Sequence, residues 1–427
     1  MWLPVRGPAR PKPDVRPTVA VWGGRRGRAA RFWRSWLAGG LGLGFFAPVQ
    51  AQDTPSLRSP TGGAVQADAA AFQGKVPAPG TAEEKKPGAK DEDQRRGSFV
   101  VAPIPIVNPA IGSGIVPVVA YIFRLRKQDT ISAPSTVGAA ALFTNNGTRV
   151  YGAGADLYFL QNHYDLKVGY GRGNVNYDLY GIGYPAGANG VKLPLRQDLQ
   201  LFVTEFLRNV GWHTFVGGRF STGSSLISLR SDKPEIEPPP DVNIGTTLRA
   251  LGLTVVRDTR PNRFYPVEGS LIEFSANFFA KSLGSHYSFQ SYDFTFNKYV
   301  SFDDRQVLAY SLFLCDTGGA APFFAECLYG TNNQLRGYKA GQYLDRSMVT
   351  AQAEYRLVLP WRFGATVFAG IGGVANGLGQ LKADQLLPAG GTGARFLLSK
   401  SYHVNLRSDF AWGRNSFTWS MGVGEAF

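Results

Sequence analysis

The sequence predicts an all-β chain that closes as a transmembrane antiparallel barrel of about sixteen strands. Three observations carry that prediction. From Ile111 onward the chain breaks into segments of about ten residues that alternate apolar and polar positions. Several polar faces hold charges opposite large aromatics, Glu354 with Arg356 and Arg407 with Asp409. The chain also begins with the pattern of an export signal. Alternation alone fits a sandwich equally well. An aromatic exterior around a charged interior is what a lipid-facing barrel requires, because hydrocarbon demands a closed sheet with every backbone group paired.

Composition agrees with this class. Aromatics make up 13% and charged residues only 18% of 427 residues, with 52 glycines for turns and close approaches. No run of eighteen apolar residues exists, so a spanning helix is not expected. The formal charge of +14 suggests nucleic acid until its distribution is read. Residues 1–51 hold nine arginines and lysines against Asp14 alone, which accounts for +8 of the total. That basic block precedes the apolar run Trp36–Ala47, and Val49-Gln50-Ala51 supplies a small-x-small cleavage pattern. Residues 1–51 therefore read as a secretory signal cut after Ala51, and nucleic acid is not an expected partner. Residues 52–97, rich in Pro, Ala, Gly and Gln, have no apolar periodicity and read as a disordered periplasmic tether. A partner-binding tail is the other reading of such a composition. The barrel domain is expected over 98–427.

Its strands are expected near 111–125, 132–144, 148–159, 162–172, 175–184, 194–208, 211–222, 245–257, 268–279, 287–300, 304–315, 346–358, 361–373, 390–399, 402–412 and 415–427. The last is the clearest, with Phe417, Trp419, Met421 and Val423 on one face and Thr418, Ser420, Gly422 and Gly424 on the other. Asn145-Asn146-Gly147, Gly173-Asn174, Pro360 and Lys400 mark short turns. The long connections 223–244, 316–345 and 374–389 alternate with them, and 257–267 is a longer stretch on the short-turn side. The strands 111–125 and 417–427 should meet at the closing seam.

Two motifs sit in connections. Gln334-Leu335-Arg336-Gly337-Tyr338 lies in the longest loop, where a type II turn with Gly337 at positive φ and Arg336 in water is the plain reading. Asp258-Thr259-Arg260-Pro261-Asn262-Arg263-Phe264-Tyr265-Pro266, followed by Gly269, occupies the long turn. With the final Gly424-Glu425-Ala426-Phe427, this pair resembles the BamA/TamA superfamily of outer-membrane barrels (the bacterial surface antigen domain). The resemblance covers about residues 98–427, and the order and spacing of the two motifs make it specific. It implies that the sixth outer loop folds into the lumen, where Arg336, with Gly337 and Tyr338 beside it, is clasped by groups of the inner wall. Glu354 matches the family's acidic position and Phe368 its aromatic. Where many members have an aspartate two residues further on, this chain has Gly370, and Asp409 is the acid left to take that role. Asp258, Arg260, Phe264, Tyr265 and Pro266 are the matching periplasmic turn. Trp419, Met421, Val423 and Phe427 look like the signal by which barrels are recognised for insertion. Glu425 interrupts their face, at a depth where a charge costs only about 0–1 kcal/mol. A further departure is the tether, too short for a periplasmic POTRA domain.

Other chemistry is thin. His163, His213, His286 and His403 have no metal spacing, and no Gly-x-Ser-x-Gly elbow occurs, so neither an enzyme nor a cofactor is expected. The glycines at 370, 372, 373 and 377 fit close packing beside a loop better than a nucleotide cradle. Cys315 and Cys327 read as a disulfide in an exported chain, with two free thiols as the alternative. The resemblance implies a Gram-negative outer-membrane protein that assists insertion, assembly or translocation of outer-membrane components. A pore gated by the sixth outer loop and a structural surface antigen are the competing readings; short or mispaired first and last strands favour the first. Expected partners are outer-membrane lipid and lipopolysaccharide, the barrel assembly machinery acting on this chain as client, and unfolded barrel clients. A homodimer stays open.

Overall fold

The computed structural model describes residues 98–427 apart from 127, 130, 131, 133, 191, 231–243, 264, 331–333 and 400–402. The expected signal and tether, 1–51 and 52–97, lie outside the described residues, as does Phe264 of the turn motif. In chain order the elements are β1 (Ser98–Asn108), β2 (Gly112–Phe123), β3 (Ser135–Thr144), β4 (Arg149–Phe159), β5 (Tyr164–Leu179) and the short helix α1 (Tyr184–Asn189). Then follow β6 (Leu193–Gly211), β7 (Thr214–Leu229), β8 (Ile244–Asp258), β9 (Gly269–Phe279), β10 (Phe289–Asp303) and β11 (Gln306–Gly319). The long sixth connection holds two short bridges, β12 (Cys327–Leu328) and β13 (Leu344–Asp345). The chain closes with β14 (Ser347–Val358), β15 (Phe363–Ala375), β16 (Leu387–Ser399), β17 (Val404–Gly413) and β18 (Ser416–Val423). All but β12 and β13 form one closed antiparallel barrel of sixteen strands, in which β1 meets β18.

Period-two alternation positions the walls. On β14, Thr350, Gln352, Glu354 and Arg356 are buried, while their neighbours point outward. Phe206, Leu253, Val367, Phe410, Trp412, Phe417 and Trp419 are exposed on the outer face. An apolar exterior of this extent is a lipid-facing surface. At the end carrying the long connections, inward Leu142, Val175, Leu195, Ile227 and Leu248 form one apolar cluster with Phe324, Ala325, Leu328 and Leu344 of the sixth connection.

The expected strand number is right, but two errors cancel inside it. The stretch 98–108 is a strand, so the seam partner of β18 is β1 rather than 111–125. Conversely, 162–172 and 175–184 are one strand, β5, running straight through Gly173-Asn174. Gly173 serves close approach instead of a turn: the carbonyl oxygen of Arg149 lies 2.2 Å from where its Cβ would stand. The two slips invert the expected sidedness before residue 180, so the Asn145-Asn146-Gly147 turn lies at the long-loop end. The last strand also stops early. It ends at Val423, and Gly424 adopts φ 86°, which turns the final residues off the line of the sheet.

A sheet closed in this way keeps its shape in detergent. The unboiled protein should migrate ahead of the boiled one on a detergent gel; identical mobility would count against closure.

Candidate functional site

Three elements bring the candidate residues together: the sixth connection, the inner faces of β14–β18, and the turn after β8. Arg336 is 2% exposed. Its Nη2 stands 2.6 Å from Glu354 Oε2 and its Nη1 donates to Asp409 Oδ2 at 3.1 Å. The guanidinium carbon lies 3.4 Å from the Phe368 ring centroid, a cation–π contact in a desolvated place. Nη2 also donates to Gln352 Oε1 at 3.4 Å, while Gln352 Nε2 donates to the Gln334 carbonyl at 2.9 Å. The type II turn in water is therefore not the environment of this arginine.

The neighbours of Arg336 explain the local glycines. Gly337 has φ 111°, and its N–H donates to Thr418 Oγ1 at 3.2 Å. Leu335 Cδ1 comes within 2.5 Å of a Cβ placed on Gly370. That is the physical reason for a glycine here, where an aspartate would collide with the loop. Tyr338 donates its hydroxyl to the Pro388 carbonyl at 2.6 Å and accepts from the Arg414 N–H at 2.8 Å. It meets Tyr329 and Tyr343 edge-on, with centroids 5.3 and 5.7 Å away. Burial, with Tyr338 alongside, pushes the Tyr343 hydroxyl up to about 12, so it remains a donor at physiological pH. Tyr184 of α1 stacks on Tyr343, and the Gly183 N–H donates to the Leu344 carbonyl at 2.7 Å. Cys315 and Cys327 are bonded, which ties the start of the loop to the end of β11.

The charge network extends well beyond the arginine of the loop. Arg356 Nε pairs with Glu354 Oε1 at 2.8 Å, and its two Nη groups donate to the carbonyl of Pro266 (3.3 Å) and to a main-chain oxygen of the final residue, Phe427 (2.8 Å). Arg395 pairs with Asp409 at 2.6 Å and Glu425 at 2.8 Å, and Asn405 donates to Glu425 at 2.8 Å. Arg407 Nη1 lies 3.8 Å from Asp409. Glu425 was expected to interrupt the outer face. The turn at Gly424 instead brings it to the inner wall, where Arg395, Asn405 and, at 3.9 Å, Arg356 meet it. For the same reason Phe427 does not share the face of Trp419, Met421 and Val423; its ring centroid lies 5.6 Å from the Arg356 guanidinium.

The turn after β8 reaches across its end of the barrel. Arg260 and Arg263 pair with Asp258 at 2.8 and 3.1 Å. Arg263 goes on to donate to Tyr158 of β4 at 3.2 Å, and Tyr265 faces His403 with centroids 6.2 Å apart. Burial, then the charge of Glu425, pushes the Tyr265 hydroxyl up to about 12. A second inward charged group, Lys167 with Asp165 and Glu205 (both 3.3 Å) and Arg219 with Glu205 (2.7 Å), lines the opposite wall. Among the described residues, no group of His, Cys, Asp and Glu has the makings of a metal site.

Residues 222–427 match the Omp85 superfamily domain. Over that stretch the chain resembles the Omp85 superfamily. Comparison with curated protein sequences gives no match. Among solved structures, the barrel is similar to BamA from Haemophilus ducreyi lacking POTRA domains 1–3, with TM-score 0.54 at 12% identity over 77% of this chain and 70% of that one. It is also similar to CdiB from Escherichia coli, with TM-score 0.50 at 11% identity over 75% of this chain and 61% of that one. CdiB from Acinetobacter baumannii gives 0.48 at 14% identity, over 76% and 58%. The chain thus spans about three-fifths of each CdiB chain, and at such identities the likeness is one of fold.

Within the network the guanidiniums of Arg336, Arg356, Arg395 and Arg407 share the carboxylates of Glu354, Asp409 and Glu425, and Arg356 also meets a main-chain oxygen of Phe427. Glu354 alone faces three of the cations, Arg336, Arg356 and Arg395, so losing it leaves more buried charge uncompensated than losing Arg336. Arg336→Gln should cost on the order of 1–2 kcal/mol in hydrogen bonds, and Glu354→Gln about 3–5 kcal/mol through uncompensated buried charge. Urea midpoints followed by tryptophan fluorescence measure both; the reverse order would contradict the assigned pairing.

Proposed function

We propose that this Omp85-like barrel assists insertion of outer-membrane components by opening towards lipid at the β1–β18 seam, with the Arg336 loop acting as a clasped plug in the lumen. The observation that carries the reading is the seam itself. Among the described residues β1 pairs with β18 at one position, Val107 opposite Met421, whereas the shortest ladders at the other junctions of the barrel run eight positions.

The weakness follows from the residues. Pro103 lies directly opposite Pro117 in the β1–β2 ladder. Neither has an N–H, so this position is a non-hydrogen-bonded pair, and the backbone groups of Pro103 point away from β2. The same parity holds for Pro105. Both prolines therefore withdraw a donor from the edge that β1 offers to β18, as prolines on edge strands do. The partner strand is also short, ending at Val423. Opening this seam breaks few hydrogen bonds, and the unpaired edge it leaves can accept a strand of a client.

Cysteines at Val107 and Met421, whose Cα atoms face each other, lock the seam on oxidation. The oxidised variant should lose the ability to accelerate insertion of an unfolded outer-membrane barrel into liposomes, and reduction should restore it. Full activity of the locked form would overturn the reading. Bilayer conductance separates the pore: large steady openings unchanged by Arg336→Ala would identify a transport pore with no clasp.

A further inference from the structure

A groove of about 750 Å³ lies on the outer wall of β4–β8, near the long-loop end. Register places its lining in two rows. Arg172 stands opposite Gln200, which stands opposite Ser224, which stands opposite Thr247. One step nearer the loops, Arg149 stands opposite Asn174, and Asn174 opposite Asp198. Both rows face outward. Tyr151 is exposed in the first, and Leu226 exposed in the second, while their strand neighbours Val175 and Ile227 are buried on the inner face.

The arginines have no function within the fold. Arg149 and Arg172 are exposed, and neither has an ion pair or hydrogen bond among the described residues. The nearby acid Asp198 is already engaged with Arg196 at 3.1 Å. The Gln200, Ser224 and Thr247 side chains likewise make no hydrogen bond among the described residues. Exposed arginines on a soluble protein need no explanation, since water solvates them. These stand on a lipid-facing wall, and their height decides the matter. From Arg172 down β5 the outward positions are Tyr170, Val168, Leu166 and Tyr164. That is eight residues, about 26 Å of strand at ~3.3 Å per residue, or about 20 Å after a tilt of ~40°. An apolar band is about 25 Å tall, so Arg172 lies at its rim and Arg149 just beyond, at the level of lipid headgroups.

We propose that this groove binds the headgroup of a phosphorylated glycolipid in the leaflet at the long-loop end. Arg149 and Arg172 hold a phosphate through charge-assisted, bidentate hydrogen bonds. Gln200, Ser224 and Thr247 offer donors and acceptors to sugar hydroxyls, which a simple glycerophospholipid lacks. The acyl chains lie along Tyr170 and Phe202 below. The assignment rests on the membrane embedding of the barrel and is independent of seam opening.

The test uses the full chain in phosphatidylcholine nanodiscs, titrated with fluorescent diphosphoryl lipid A. Arg149→Gln with Arg172→Gln should weaken binding at least tenfold. Arg208→Gln with Arg257→Gln, which removes the same charge from the other end of the outer wall, should leave it within twofold. Lipid A stripped of its phosphates should bind the unaltered protein as weakly as intact lipid A binds the first variant. Equal loss in both double variants would mean general charge attraction and overturn the site, as would equal binding throughout. Full competition by inorganic phosphate would mark a free-anion site and overturn the lipid assignment. Gel mobility before and after boiling confirms that each variant is folded.

Discussion

Hydrocarbon leaves no partner for an unpaired peptide group, and that constraint organises the whole chain. A sheet in lipid has to close, and among the described residues fifteen of its sixteen junctions do so with ladders of eight positions or more. The exception is the junction where the sheet meets itself. There the sequence places two prolines of the same parity on one strand and stops the other early. The cost of an incomplete ladder is concentrated in a single line down the barrel, beside the most exposed apolar residues of β1, Phe99 and Val101.

Inside the barrel the same low dielectric acts on charge. A guanidinium taken from water needs close counter-charges, and Arg336 obtains them only because Glu354, Asp409 and the Phe368 ring converge from three strands. Those acids are shared in turn with Arg356 and Arg395. The result is one connected group in which a residue of the long loop, the carbonyl of Pro266 in the turn after β8, and the segment following β18 all hold to the same wall. Loop, turn and chain end are thus not independent appendages.

Much of this was legible in a period of two. Parity alone assigned Glu354, Arg356, Arg407 and Asp409 to the inner face, and aromatic positions such as Trp419 to the outer; Phe368 came from the resemblance. What parity cannot supply is the register between strands, and Arg395 stayed invisible because its partners lie on other strands. The misread elements have local causes. Pro103 and Pro105 disguised β1, since prolines usually argue against a strand. Gly173-Asn174 has the composition of a turn, but the glycine is there for a close carbonyl. Glu425 was read as continuing the strand because nothing in the alternation announces that Gly424 bends the chain inward.

The link from Arg263 to Tyr158 has a mechanical consequence. It is a strut from the turn after β8 to β4, and through Pro266 and Arg356 the same turn is anchored to β14. A hoop braced at those points resists becoming oval over most of its circumference. Strands β1–β3 lie outside this arc on one side of the seam, whereas on the other side β16, β17 and the segment after β18 are tied to β14 through Arg395, Asp409 and Glu425. Among the described residues, those three strands are held to the rest chiefly at the other end, where Ile111, Val116 and Leu142 pack on the sixth connection; the bracing of this part of the wall is apolar, and that of the remainder ionic.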